Sequence, residues 1–201
     1  MRIDIMTLFP DSVEDVLADS ILGRAQERGF IRIQAHQIRD YTANKQNQVD
    51  DYPYGGGRGA VMTADPLYRC WEAICEEAGG PVYTVYLSPC GHTFRQADAI
   101  RLSKLENLVL VCGHYEGIDQ RFIDECVDEE ISLGDFVLTG GEIAAMAVTD
   151  AVCRMVPGVL ADPECFEDES HYSGMLEYPQ YSRPAVWHGK EVPQILLSGD
   201  H

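Results

Sequence analysis

The chain has 201 residues, 45% of them hydrophobic, enough for one domain, or one domain plus an appendage, with a substantial core. Its formal net charge of −18, from 15 Lys plus Arg against 33 Asp plus Glu, argues against a broad nucleic-acid footprint on this chain alone. Asp4 interrupts the apolar start MRIDIMTLFP and no apolar run approaches about 18 residues, so neither a signal peptide nor a membrane span is expected, and a cytoplasmic location follows.

Residues 2–9 read as a strand ending at Pro10, and Asp11 or Ser12 caps one helix running to about Arg28, where Gly29 stops it. Phe30 to Ile38 alternates, with Ile31, Ile33 and Ala35 on one face and Arg32, Gln34 and His36 on the other, which predicts a half-buried strand. Residues 39–60 are polar and aperiodic and finish in the cluster Gly55-Gly56-Gly57-Arg58-Gly59; an ordered domain rarely keeps so long a loop without using it. Ala64 to Ala78 reads as a helix closed by Gly79 and Gly80.

Three units of one kind follow. Val82 to Leu87 is a buried strand running into Ser88-Pro89-Cys90-Gly91, and Leu108 to Cys112 is another running into Gly113-His114-Tyr115-Glu116-Gly117. The third is the loop Leu133 to Gly141, where glycines and Asp135 break up the apolar residues so that neither a helix nor a long strand fits. From Glu142 a helix begins with two apolar stripes, one through Ile143, Met146 and Ala147 toward Arg154, the other through Ala144, Val148, Ala151, Val152 and Met155. Such a helix has little surface left for water. Strand, glycine loop and helix in repetition predict a parallel α/β sheet with flanking helices and a ligand at the carboxyl ends of its strands. The Gly140-Gly141 pair lets backbone approach a small cofactor just before a helix N-terminus, although spacing alone fits an ordinary buried loop as well. Residues 158–201 are rich in Pro, Gly, Glu and Tyr without a sustained period and read as an extended linker or arm.

Common motifs are missing. The cluster at 55–59 follows a polar loop instead of a strand, and Gly189-Lys190 is followed by Glu191, so neither a dinucleotide fingerprint nor a P-loop is present. No Gly-x-Ser-x-Gly elbow occurs. Seven cysteines, an odd number with no Cys-x-x-Cys pair, indicate neither a disulfide framework nor a zinc module. Cys165 and His171 fall two ligands short of a metal site, so no metal bound by side chains is expected.

The segments YGGGRGAVM (54–62), LSPCG (87–91), CGHYEGIDQRFID (112–124), ISLGDFVLTGGE (131–142), DAVCRMVPGVL (150–160) and YPQYSRP (178–184), in this order, closely resemble the bacterial tRNA (guanine-N1)-methyltransferase family, TrmD. The resemblance spans nearly the whole chain. It implies a SPOUT-class α/β fold with a deep trefoil knot, although threaded connections are nearly absent from general folding rules. It further implies a homodimer, S-adenosylmethionine bound in the knot, and methylation of N1 of guanosine 37 in the tRNA anticodon loop. Carried over position by position, the cofactor is expected to touch Tyr86, Leu87, Ser88 and Pro89, then Gly113 and Glu116. Leu133, Gly134, Asp135, Phe136, Val137, Leu138, Thr139, Gly140 and Gly141 complete the set. Residues 1–160 then form the knotted catalytic domain, and 161–201 the linker and the start of a C-terminal tRNA-binding region whose basic remainder would supply Lys and Arg scarce here. Mg2+ dependence is implied by the family alone.

Methyl transfer from a sulfonium is an in-line displacement, so the first requirement is to hold N1 of guanine against the methyl carbon. N1 carries a proton that a general base must take, and charge developing toward O6 needs a cation or donor. The resemblance assigns these roles to an aspartate after the linker and to Arg154. Counting back from Gly174 and YPQYSRP, the aspartate position falls on Glu169, the expected base, with Asp168 the alternative after a one-residue register change. On spacing alone Arg154, four residues after Asp150, fits an ordinary helical ion pair. His114 stands where the family commonly has arginine, and Arg58, Ala60 and Ala144 are further departures. A second reading stays open beside the enzyme, a catalytically inactive dimeric S-adenosylmethionine- or RNA-binding protein of the same fold. The helix with two apolar stripes has more apolar surface than one sheet face covers, which hints at a partner, and the resemblance implies active sites shared between two subunits.

Overall fold

In the computed structural model the described residues are 1–160 and 178–198; Glu169 and Asp168 lie outside them. The chain runs through β1 (Arg2–Thr7), α1 (Pro10–Leu17), α2 (Ser20–Glu27), β2 (Arg32–Gln37), β3 (Asp50–Asp51), β4 (Val61–Met62), α3 (Ala64–Ala78) and β5 (Tyr83–Thr93). It continues through α4 (Gln96–Leu102), β6 (Asn107–Cys112), α5 (Gln120–Cys126), β7 (Glu129–Ser132), α6 (Glu142–Cys153), β8 (Val186–Trp187) and β9 (Lys190–Glu191). Five strands form one sheet in the order β2-β1-β6-β5-β7, and every pair in it is parallel. The expected parallel sheet with flanking helices is what the chain forms.

Alternation along the strands builds two cores. Ile3 and Ile5 of β1 join Leu108, Leu110, Val85 and Leu87 beneath apolar residues of α1, α2, α4 and α6. Met6, Val109, Val111 and Tyr86 point the other way, against Leu67, Cys70 and Ile74 of α3 and Phe122 of α5. Both faces of the central strands are covered, which is why they read as nearly continuous apolar runs. Connections that step one way along the sheet pass over the first face (α1 with α2, and α4), and those that step back pass over the second (α3 and α5). All four therefore share one hand, the condition that the crossover rule sets.

Several expectations need correction. The single helix predicted to run to Arg28 is two, because Asp19 accepts a hydrogen bond from Ser20 N at 2.6 Å and caps a new helix. The turn lets Val13 and Leu17 as well as Leu22 and Ala25 reach the same core. Neither Asp11 nor Ser12 caps α1; Phe9 holds the N-cap position and Pro10 starts the helix. His36, placed on the wet face by alternation, is buried against Asp4. β5 does not stop at Leu87: Leu87 and His92 both pair with Ile131, so Ser88 to Gly91 are thrown out of the sheet between two pairings with one partner. A Cβ on Gly91 would collide with the Glu130 carbonyl, so only glycine fits that return. Glu129–Ser132, directly before the expected loop and not predicted as a strand, forms β7, which is too short to show a period. In α6 only one stripe, Ala144, Ala145, Val148 and Val152, faces its own core, while Ile143 is 55% exposed and Ala147 also faces solvent.

β3, inside the polar segment 39–60, pairs antiparallel with β4 just after it, and Met62 bridges to Ile118 beyond β6. The described residues 178–198 carry the small β8–β9 hairpin and are exposed except for the half-buried Val192. Among the described residues no helix is long and apolar enough to cross a membrane.

Candidate functional site

The loops after β6 and β7 and the segment thrown out of β5 meet at one edge of the sheet. Residues of all three line a cleft of about 490 Å³, inside the range of roughly 300–1,000 Å³ usual for small-molecule sites. Backbone hydrogen bonds tie its parts together. Gly141 N donates to Gly113 O at 3.1 Å, joining the third loop to the second. Glu116 N donates to Ala60 O at 3.0 Å and Met62 N to Gly117 O at 3.0 Å, which docks the glycine-rich segment on the second loop. Cys90 N donates to Ser88 Oγ at 3.1 Å, and Gly134 N to Ser132 Oγ at 3.2 Å, so each flanking loop is stiffened by its own serine.

The third loop approaches the second as closely as glycine allows. A Cβ on Gly141 would lie 2.6 Å from Cys112 Cα, and one on Gly140 would collide with the His114 ring and come within 2.6 Å of Glu142 Oε2. Tyr115, at the mouth, adopts φ of +59°, a conformation uncommon for an aromatic residue and one that tends to gather at functional sites. Burial, with the charge of Glu130 next in size, pushes the Tyr86 phenol up to about 12, so it stands in the cleft as a neutral hydrogen-bonding group. Cys112 behind the loops is fully buried, and desolvation drives its thiol well above its ordinary range, which removes it as a nucleophile.

Of the residues expected at a cofactor, Tyr86, Leu87, Ser88, Pro89, Gly113, Glu116, Leu133 and Phe136 through Gly141 line this cleft; Gly134 and Asp135 do not. Arg154 is not brought to it. It follows the last turn of α6, whose first turn borders the cleft, and its N–H donates to Asp150 O at 3.1 Å. Thirteen residues at about 1.5 Å each separate it from Gly141 by roughly 20 Å, more than an arginine side chain spans. Glu169 lies outside the described residues. Among those described, no group of three or more His, Cys, Asp or Glu is placed to hold a metal ion.

Sequence reasoning passed over Cys90, Glu130, Ile131 and Ser132, which line the cleft from the bulge of β5 and from β7. For the last three the signal was weak, since a four-residue strand shows no period. It also placed His114 in the second loop and Glu142 at the start of a helix without joining the two. In the structure both oxygens of Glu142 lie 2.8 Å from His114 Nε2.

A doubly covered parallel sheet whose glycine loops enclose a cleft at the carboxyl ends of its strands defines an α/β protein built to hold a small ligand there. A family model described as tRNA (Guanine-1)-methyltransferase TrmD matches residues 1–201, and the chain belongs to that family. It is 51% identical over its whole length to the tRNA (guanine-N(1)-)-methyltransferase of Ruminiclostridium cellulolyticum, of which it covers 86%. The enzyme of that name from Clostridium perfringens is 55% identical, with 84% of it covered. The crystal structure of the tRNA (m1G37) methyltransferase from Aquifex aeolicus superposes with a TM-score of 0.85 at 38% identity, over 99% of this chain and 83% of that one.

Proposed function

We propose that this chain transfers a methyl group from S-adenosylmethionine to N1 of guanosine 37 in tRNA. The observation that carries the reading is the meeting of three glycine-bearing segments on one cleft at the carboxyl ends of β5, β6 and β7, in a chain of this family. The residues present fit the cofactor. Leu87, Ile131, Leu133 and Leu138 offer apolar walls for a purine, and Glu116 and Glu130 offer acceptors for ribose hydroxyls or a cationic group. When bound, S-adenosylmethionine supplies an electrophilic methyl group.

The chain's own part is to position, to move one proton and to stabilise charge. Glu169 takes the proton from guanine N1, and Arg154 faces O6, where negative charge grows as that proton leaves. Because Arg154 sits at the far end of α6 from its own cleft, the reading requires a homodimer in which one subunit's Arg154 and Glu169 serve the partner's cofactor. The exposed Ile143 and Ala147 on α6 supply an apolar surface for such a partner. The path of the chain after β7, from the sheet edge back across β5 to Gly113, supports a deep trefoil knot around the cofactor. Tyr52, 86% exposed, and Tyr54, fully exposed, share with Arg58 the segment docked on the second loop, and offer rings on which bases can stack. The same reading places the catalytic domain at 1–160 and an arm beyond it that reaches toward tRNA. It makes the protein cytoplasmic and includes a Mg2+ requirement, which chelation checks.

The test is single-turnover methylation of a tRNA carrying guanosines at positions 36 and 37, using labelled cofactor. Glu169→Gln should keep cofactor affinity and lower the rate by roughly a hundredfold or more, the scale for losing a positioned base. If Asp168→Asn does this instead, the base is one residue earlier. A heterodimer of Gly140→Val with Glu169→Gln should put both defects in one site and leave the other whole; no recovered activity would overturn the shared site.

A further inference from the structure

Beside the cleft runs a chain of hydrogen bonds that methyl transfer leaves unused. Phe9 N donates to Thr7 Oγ1 at 2.9 Å, so the Thr7 hydroxyl turns its own proton to Glu142 Oε1, 2.6 Å away. Glu142 in turn accepts from His114 Nε2, which lies 2.8 Å from each carboxylate oxygen. Thr7 is fully buried and Glu142 is 9% exposed, while His114 is one of the cleft's lining residues. The Phe9 ring stands edge-on to the His114 ring with centroids 5.2 Å apart, which holds the imidazole from its other side.

The three side chains come from the end of β1, the loop after β6 and the first residue of α6. Glu142 directly follows Gly141, and His114 directly follows Gly113, so the backbone bond from Gly141 to Gly113 is doubled one residue further on by a side-chain pair. Thr7 then ties the doubled junction to a strand in the middle of the sheet. Among the described residues Glu142 pairs with no lysine or arginine. A buried carboxylate of that kind is costly, and an apolar pair of similar volume would pack at least as well. What an apolar pair lacks is direction, and direction matters where Gly140 has no room to shift toward His114.

We infer that Thr7, Glu142 and His114 are positioning residues that set the spacing between the Gly113 and Gly140–Gly141 backbones, and through it the affinity of the cleft for S-adenosylmethionine. The inference rests on the reading that this cleft holds the cofactor. Calorimetric titration of the full chain with S-adenosylmethionine tests both, with the melting temperature of each ligand-free variant recorded alongside. His114→Leu should weaken binding roughly tenfold or more, the scale of a lost hydrogen bond to a charged group. His114→Arg keeps a donor for Glu142 and should recover most of that loss. In methylation assays the defect of Glu142→Gln should fall on the KM for the cofactor more than on kcat.

Failure of the unaltered protein to bind S-adenosylmethionine would sink the cofactor reading itself. If the unaltered protein binds and His114→Leu binds equally well, only the present inference falls. It also falls if His114→Arg is as weak as His114→Leu, or if the weakening merely follows a fall in melting temperature, since packing alone would then explain it. Should His114→Leu fail to fold, Thr7→Val removes one hydroxyl from the far end of the chain and carries the same expectation at smaller size; unchanged affinity there overturns the inference.

Discussion

β1 meets two histidine–carboxylate pairs three residues apart, one fully buried and one part-buried at the cleft, and they are built for different ends. Asp4 is held by His36 Nε2 at 2.7 Å and by Arg2, whose Nε and Nη2 approach its two oxygens at 2.6 and 2.9 Å. Arg2 also reaches Glu77 at 3.1 Å. Among the described residues Glu142 is held by a hydroxyl and an imidazole. Burial pushes the Asp4 carboxyl up, but hydrogen bonds from His36 and Arg2 and the Arg2 charge outweigh it and hold the group below its ordinary range. Asp4, His36 and Arg2 all sit on paired strands, β1 and β2, whose register the cluster reinforces. The Glu142 pair joins a loop to a helix start across a cleft. The same two residue types therefore lock a sheet in one place and brace a binding site in the other, and what separates them is the backbone that carries them.

The largest effect should come from breaking the locked pair. Asp4→Asn leaves Arg2 and His36 facing a neutral amide, and loss of one partner in a buried ion pair typically costs about 3–5 kcal/mol. Urea unfolding at neutral pH reads it directly. Cofactor affinity of the folded Asp4→Asn protein should hardly change, because neither Asp4 nor the Arg2 and His36 that hold it line the cleft. If Glu142→Gln costs more stability than Asp4→Asn, the division between lock and brace is wrong.

A smaller effect is expected from crowding the brace. Gly140→Ala places a methyl group on the His114 ring, and overpacking of this kind costs about 1–3 kcal/mol. Gly140 has no positive φ, so the penalty is one of space and not of backbone conformation. Calorimetry should show cofactor affinity down by roughly tenfold. The same substitution in a His114→Ala background should lose much less, because the colliding ring is gone; full additivity would mean that the methyl group meets the ligand itself.

The contrast between sheet and cleft also marks how far the residues could be read. The central strands and the glycine-ended loops after Cys112 and before Glu142 were legible because both sheet faces are covered and each strand ends where glycine begins. The break at Asp19 was not, since the apolar period of Val13, Leu17, Leu22 and Ala25 carries on through it. Nor was the continuation of β5 past Gly91, where Ser-Pro-Cys-Gly reads as a turn although the strand resumes at His92. Thr7 and Glu142 are 135 residues apart, and no pattern confined to a short window can join them. Resemblance put Arg154 in the catalytic pair, yet helix geometry sets it at the opposite end of α6 from the cleft. That gap turns a list of site residues into an argument for two subunits.

The smallest expected effect is confined to acid pH, and its sign follows from Asp4. Its folded value lies below the unfolded value of 3.8, so the unfolded chain binds its proton at a higher pH than the folded one. The stabilisation from ionised Asp4 is therefore complete above 3.8 and is lost as pH falls through the lower folded value. Glu77, Asp98 and Asp119 are also held below their ordinary ranges, so the acid limb of the whole protein mixes several groups. Taking the difference in unfolding free energy between the unaltered protein and Asp4→Asn removes their shared part. That difference should stay level from neutral pH down to about 4 and then narrow as Asp4 protonates. A difference that already narrows well above pH 4 would show that the stabilisation does not come from ionised Asp4, and the lock would have to rest on something other than its charge.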